Sequence, residues 1–231
     1  MPLTNDLATL RDRTLVDLNT AHDYYLDTKT AWRIARQAIL ASTPFTYRNR
    51  ITGTVTTQQA LAARAVEYIA KQLVETTFQQ FLSIFESFFF DLLRLWLLAY
   101  PQSLSRKPVD FKTILDAPDK DAIILLVVNK ELNEILYERP TRWFAYLEER
   151  AKLGCPTGNE IERFAEAKAS RDVLVHNRGV VSKAYVSKAG RLARFKEGDR
   201  IDLPEDYHQA TWELIRKIVT DICATAIAKA R

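Results

Sequence analysis

Apolar residues along the chain recur at the three-and-four spacing of amphipathic helices, in long blocks separated by short turn-forming stretches. Leu7, Leu10, Leu18, Tyr25 and Trp32 follow spacings near seven or its three-and-four parts, which predicts a first helix from about Asp6 to Ala41 with one apolar seam. Such a seam fits a coiled coil with another chain and a helix folded back onto its own body equally well. The pattern stops over STPFTYRNRITGTVTT (42–57), where Pro44, Gly53 and several β-branched threonines predict a connector or a short hairpin. Thr57 then stands where an N-cap belongs, before a second long helix through Ala65, Ile69, Leu73, Phe81, Phe85, Phe88, Leu92 and Leu95 that ends before Pro101. Its density of large apolar side chains makes it the central core element.

Shorter helices follow: a piece over Val109–Leu115, then Asp121–Leu136, whose run from Ala122 to Val128 is too apolar to be exposed. A helix over Arg142–Leu153 is expected to end at Gly154 in a left-handed C-cap. Thr157 is a natural N-cap for a helix carrying Ile161, Phe164, Ala165, Val173 and His176, which Gly179 stops. A last helix, about Glu205–Ala230, places Trp212, Ile215, Ile218, Val219, Ile222 and Ile227 on its apolar side. The fold class is therefore all-α, with residues 1–56 as a helical arm and connector and 57–231 as the main helical domain.

At 231 residues, 47% hydrophobic and 27% charged, the chain can bury a sizeable core and is not a disordered polymer. Six glycines and abundant strong helix formers favour helices over sheet. The run Ile84–Tyr100 has the length of a membrane span, but Glu86, Asp91 and Arg94 interrupt it, so a buried core helix is expected. MPLTNDLATLRDR at the start has no apolar stretch of signal-peptide type, and a cytoplasmic protein is expected. Cys155 and Cys223 form no CxxC pair and no zinc-ligand spacing with the three histidines, His22, His176 and His208. No metal and no cofactor is expected.

The chemistry concentrates in Arg171-Asp172-Val173-Leu174-Val175-His176-Asn177, which joins a phosphate binder to a proton carrier at the end of one helix. Asp172 and His176 lie four apart on nearly one face, so the carboxylate is placed to orient the ring, and the helix C-terminus favours the protonated imidazole. From Arg171 to Arg200 eight Lys or Arg face three acids, a surplus of five that exceeds the net +4 of the whole chain. Positive charge beside such a helix suits a polyanion, because neutralised phosphates supply most sequence-independent nucleic-acid affinity. Asn177 can donate to a phosphate, Arg178 and Lys183 can hold flanking phosphates, Lys188 and Arg191 extend the basic set, and Tyr185 can stack on a base or pack inside. Glu86, on the predicted core helix, needs a cationic partner, for which Arg171 is a candidate.

The run RDVLVHNRGVVSKAYVSKAG (171–190) resembles the end of the motif helix and the following segment in the HEPN superfamily, whose ribonucleases carry an arginine, four to six residues and a histidine. Here four residues separate Arg171 from His176, with a polar residue directly after the arginine. FLSIFESFFFDLLRLWLLAYP (81–101) is similar to the family's earlier core helix, and the likeness extends over about Thr57–Arg231. The resemblance implies an HEPN-like antiparallel helical bundle, here with an N-terminal helical arm and a short irregular basic segment after the motif helix. It implies a homodimer whose motif helices meet in a composite cleft, with Arg171 and His176 catalytic and Glu86, Asp172 and Asn177 in support. The implied activity is metal-independent RNA cleavage by 2′-hydroxyl transesterification. The implied role is a toxin or anti-phage defence effector, with an antitoxin or defence-system partner. The alternatives are a non-catalytic HEPN-like module that binds RNA or protein, and a dimerising adaptor for another effector such as a nucleotidyltransferase.

Overall fold

The computed structural model describes residues 2–104 and 108–230, and these are predominantly helical. The first helix, α1 (Leu3–Ala41), is followed by a hairpin of β1 (Thr46–Arg48) and β2 (Val55–Thr57), paired antiparallel with Tyr47 opposite Thr56. Asn49 Oδ1 accepts from the amides of Ile51 and Thr52 at 2.8 and 3.0 Å, and Gly53 takes the left-handed φ of 71° that the turn requires. The second long helix begins as expected: the Thr57 hydroxyl accepts from the Ala60 amide at 3.2 Å and caps α2 (Gln58–Glu67). It continues through a π-helical turn, Tyr68–Gln72, into α3 (Leu73–Ala99). The π turn has no signature in the periodicity.

The seam of α1 packs onto its own chain. Arg13 reaches Asp91 near one end of the pair and Trp32 meets Tyr68 near the other, so α1 and α3 run antiparallel. Leu7, Leu10, Leu18, Ala21 and Tyr25 are all buried in this contact and in that with α9 (Glu205–Lys229). Central helix α3 buries Phe78, Phe81, Leu82, Phe85, Phe88, Phe89, Leu92 and Leu93, apolar on more than one side because helices cover it on several. Phe85 lies at the focus of an aromatic cluster, with its ring centroid 4.4 Å from that of Phe164 and 6.1 Å from that of Phe144. In α9, Ile215, Ile218, Val219 and Ile222 are fully buried, whereas Trp212 and Ile227 are half-buried at the margin.

Between these lie α4 (Phe111–Asp116), α5 (Lys120–Leu136) and α6 (Pro140–Ala151). The expectation that Ala122–Val128 is wholly covered is corrected: Leu125 and Leu126 are 42% and 52% exposed. The stripe through Val128, Leu132 and Ile135 is buried in the core, a helical face at four-and-three spacing, with Ile124 and Val127 half-buried against it. The left-handed cap of α6 falls on Lys152, at φ 51°, and Gly154 takes its own left-handed φ two residues later. Helix α7 (Gly158–His176) opens with a full capping box: Thr157 accepts from the Glu160 amide, and Glu160 accepts from that of Thr157. It closes through Arg178 and Gly179, both at positive φ, with the Gly179 amide donating to Val173 O at 3.1 Å. The segment expected to be irregular contains a helix of its own, α8 (Lys183–Ala189), and a 3₁₀ turn at Gly190–Leu192. Among the described residues, no helix is long and apolar enough to cross a membrane.

One buried imidazole makes the core sensitive to acid. The Thr77 hydroxyl donates to Leu73 O at 2.8 Å, so its oxygen accepts from His208 Nε2–H, also at 2.8 Å, and His208 Nδ1 is left buried with no partner among the described residues. Burial, with help from His22, lowers the His208 pKa from 6.5 to about 4. The unfolded chain therefore binds the extra proton first. Stability is intact above pH 6.5 and falls as the pH drops from there toward 4, by about 1.4 kcal/mol per pH unit. Urea unfolding at pH 7 and pH 5 is expected to show this loss in the native protein and a flatter profile in His208→Gln. Equal pH dependence in both would contradict a neutral buried ring.

Candidate catalytic groove

Helix α7 carries its polar face along a groove of about 330 Å³ closed on one side by the α5–α6 turn and on the other by α8. The aromatic contact between Phe85 and Phe164 fixes how α7 lies on α3, and the residue after Phe85 is Glu86. Its carboxylate meets the Arg171 guanidinium through Nη2, two helical turns beyond Phe164, and accepts from Lys168 Nζ at 3.0 Å. Lys168 also lies over the Trp143 ring, 5.4 Å from its centroid. The pairing of Glu86 with Arg171 anticipated from the sequence is present. Lys168 is a third member that the sequence reading missed, although its position three residues before Arg171 on one helix could have signalled it.

Asp172 does not orient His176. Its carboxylate is taken by Lys188 at 3.1 Å, Lys168 at 3.5 Å and Arg171 Nε at 3.6 Å. Burial alone would raise its pKa, but Lys168, Lys188 and Arg171 outweigh this and hold the carboxyl below its ordinary value. Asp172 therefore fixes cations, while His176, the last residue of α7, is exposed and lines the groove. Arg171 is 14% exposed in its side chain, and its Nη1 makes no hydrogen bond among the described residues. A guanidinium held from one side with a free edge is suited to clamp an oxyanion.

The residues expected to bind RNA divide. Lys188 lines the groove, whereas Asn177, Arg178, Lys183 and Arg191 are exposed but outside its lining. Arg191 is paired with Glu162. Of the two places open to Tyr185, the structure takes the interior: the residue is 2% exposed and donates its hydroxyl to Glu166 at 2.8 Å, so no base can reach its ring and its place among the RNA-binding residues is corrected. Burial and the Glu166 carboxylate raise its pKa to about 12. Glu166, buried in α7, also accepts from Ser170 at 2.8 Å, Arg194 Nε at 3.1 Å and Tyr207 Oη at 2.5 Å. This hub binds α8 and the following loop to α7 and α9, which sets the wall of the groove. Four of the eight cations counted between Arg171 and Arg200 are thus matched by acids, three of which, Glu86, Glu162 and Glu166, lie outside that stretch.

Among the described residues, no three His, Cys, Asp or Glu side chains converge as a metal-binding group. The chain matches no family model, and no curated protein or solved structure is significantly similar to it.

Among the described residues, removing Arg171 leaves Glu86 with Lys168 as its one cation, and removing Glu86 leaves Arg171 with Asp172 alone, 3.6 Å from its Nε. Glu86→Ala and Arg171→Ala are each expected to destabilise the fold, with a double-mutant coupling of about 0.5–3 kcal/mol in urea unfolding. Additive effects would show that the pair is not formed in solution.

Proposed function

We propose that this chain is a metal-independent endoribonuclease acting at a composite site built from two copies. The observation that carries the proposal is the meeting of a proton-transfer group, His176, with a free guanidinium edge, Arg171, on one groove lined by both cations and carboxylates. The likeness to HEPN ribonucleases adds to it and extends it to a toxin or anti-phage defence effector restrained by a partner protein.

In the proposed reaction the ribose 2′-oxygen attacks phosphorus, and the P–O2′ bond forms as the P–O5′ bond breaks. One neutral His176 accepts the 2′-hydroxyl proton, and a protonated His176 from a second copy gives its proton to the departing 5′-oxygen. Arg171 faces the non-bridging oxygens, where charge grows in the transition state. The products are a 2′,3′-cyclic phosphate and a 5′-hydroxyl. One imidazole per groove cannot be base and acid in the same turnover, which is why the reading requires a second copy. Val175 and Val180, 47% and 39% exposed beside His176, are apolar positions that a second copy would cover.

A second reading, a protein-binding module, is favoured by exposed apolar side chains on neighbouring α4 and α5: Phe111, Ile114, Leu115, Leu125 and Leu126. The two separate in one assay. Purified protein is expected to cut RNA in EDTA, and His176→Ala to slow cleavage by about 10²- to 10⁴-fold while keeping its helical circular dichroism. Undiminished cleavage by the variant would remove His176 from the mechanism, and an inert wild type would favour the binding module.

A further inference from the structure

The turn between α5 and α6 brings to the groove an aromatic ring that the proton-transfer chemistry does not use. Tyr137 follows the last residue of α5 and contributes to the groove lining beside Arg139. Its side chain is 88% exposed, and among the described residues it makes no ring contact and no side-chain hydrogen bond. The other tyrosines on α6 and α8 are buried and hydrogen-bonded to carboxylates, Tyr146 to Glu131 and Tyr185 to Glu166. The turn itself is braced. The indole of Trp143 donates to Ile135 O at 2.8 Å, the Glu138 amide donates to the same oxygen at 3.0 Å, and buried Pro140 opens α6. Arg139 crosses to α8 and donates to Ser187 O and Oγ at 3.4 and 3.2 Å. The ring is therefore presented from a fixed turn, not from a floppy tip.

The groove lining holds four cations and three carboxylates, and an open aromatic face beside the unpaired Nη1 edge of Arg171 matches the two parts of a nucleotide, a flat base and a charged phosphate. We infer that Tyr137 is a specificity-determining residue of this groove, a platform for the base of an unpaired nucleotide whose neighbouring phosphate lies against Arg171. The inference rests on the ribonuclease reading and adds to it a class of substrate. A base in a duplex is already stacked on its neighbours and cannot lie on the ring, so the groove selects single-stranded RNA. Because the contact is made by the ring face, the hydroxyl is dispensable.

The test uses the cleavage-silent His176→Ala protein, titrated by fluorescence anisotropy with a labelled single-stranded oligoribonucleotide and with a fully paired duplex of the same sequence. Adding Tyr137→Ala is expected to weaken single-strand binding by about 5- to 100-fold and to narrow the preference for the single strand, with Tyr137→Phe close to the parent and the duplex weaker than the single strand for both of these ring-bearing proteins. Unchanged affinity in Tyr137→Ala, equal losses in the Ala and Phe variants, or a duplex bound by the parent as tightly as the single strand would overturn the platform. Cleavage in EDTA by the protein with native His176 is read in parallel. Cleavage that persists while Tyr137→Ala binds normally overturns the platform and leaves the nuclease reading standing. Tyr137-dependent binding without any cleavage supports the platform and removes the nuclease reading, and a protein that neither binds nor cuts removes both.

Discussion

The carboxylate of Glu86, carried to the edge of the apolar core by α3, holds the cationic end of α7 in register with the rest of the bundle. Phe85 supplies the packing that makes this possible, since its contact with Phe164 brings the two helices together one residue away from the charge. Core and groove are thus fixed by adjacent positions in the sequence. Arg171 and Lys168 share Glu86, Lys168 and Lys188 share Asp172, and the result is a chain of alternating charges that no single side chain could hold in place. His176 stands at the open end of this chain, exposed and outside it.

A buried carboxylate, Glu166, does on the opposite flank of α7 what half-buried Glu86 does on the groove side. It gathers Arg194, Tyr185, Tyr207 and Ser170, so the loop after α8 is pinned to α7 and α9 through one charged hub. Breaking such a hub by removing one partner costs more than the hub adds over an apolar replacement. Its evident consequence is positional. Lys188 lies in the anchored segment, and that anchoring lets it reach Asp172.

Much of the helical architecture was legible because it depends on local signals. Thr57 and Thr157 announced two helix starts, Gly179 announced a stop, and the apolar stripe of α9 followed its predicted course. The partner of Glu86 was legible too, since a carboxylate on a core helix requires a cation. What failed depended on tertiary surroundings. The apolar residues Leu125 and Leu126 look like core in sequence, but only one face of α5 is covered. The surplus of positive charge after Arg171 looked available, yet acids on α3 and α7 take up much of it. Tyr137 carried no signal at all, because its place on the groove comes from how α5 and α6 fold back against α7.

The central claim is that the groove acts on a phosphodiester through the neighbouring ribose hydroxyl. The most direct measurement replaces one nucleotide, 5′ to the mapped cleavage position of an oligoribonucleotide, by its 2′-deoxy form and follows product formation in EDTA. Cleavage at that bond is expected to stop while cleavage at unmodified positions continues. A substrate cut equally well without the 2′-hydroxyl would contradict the account, because no nucleophile would then have been removed.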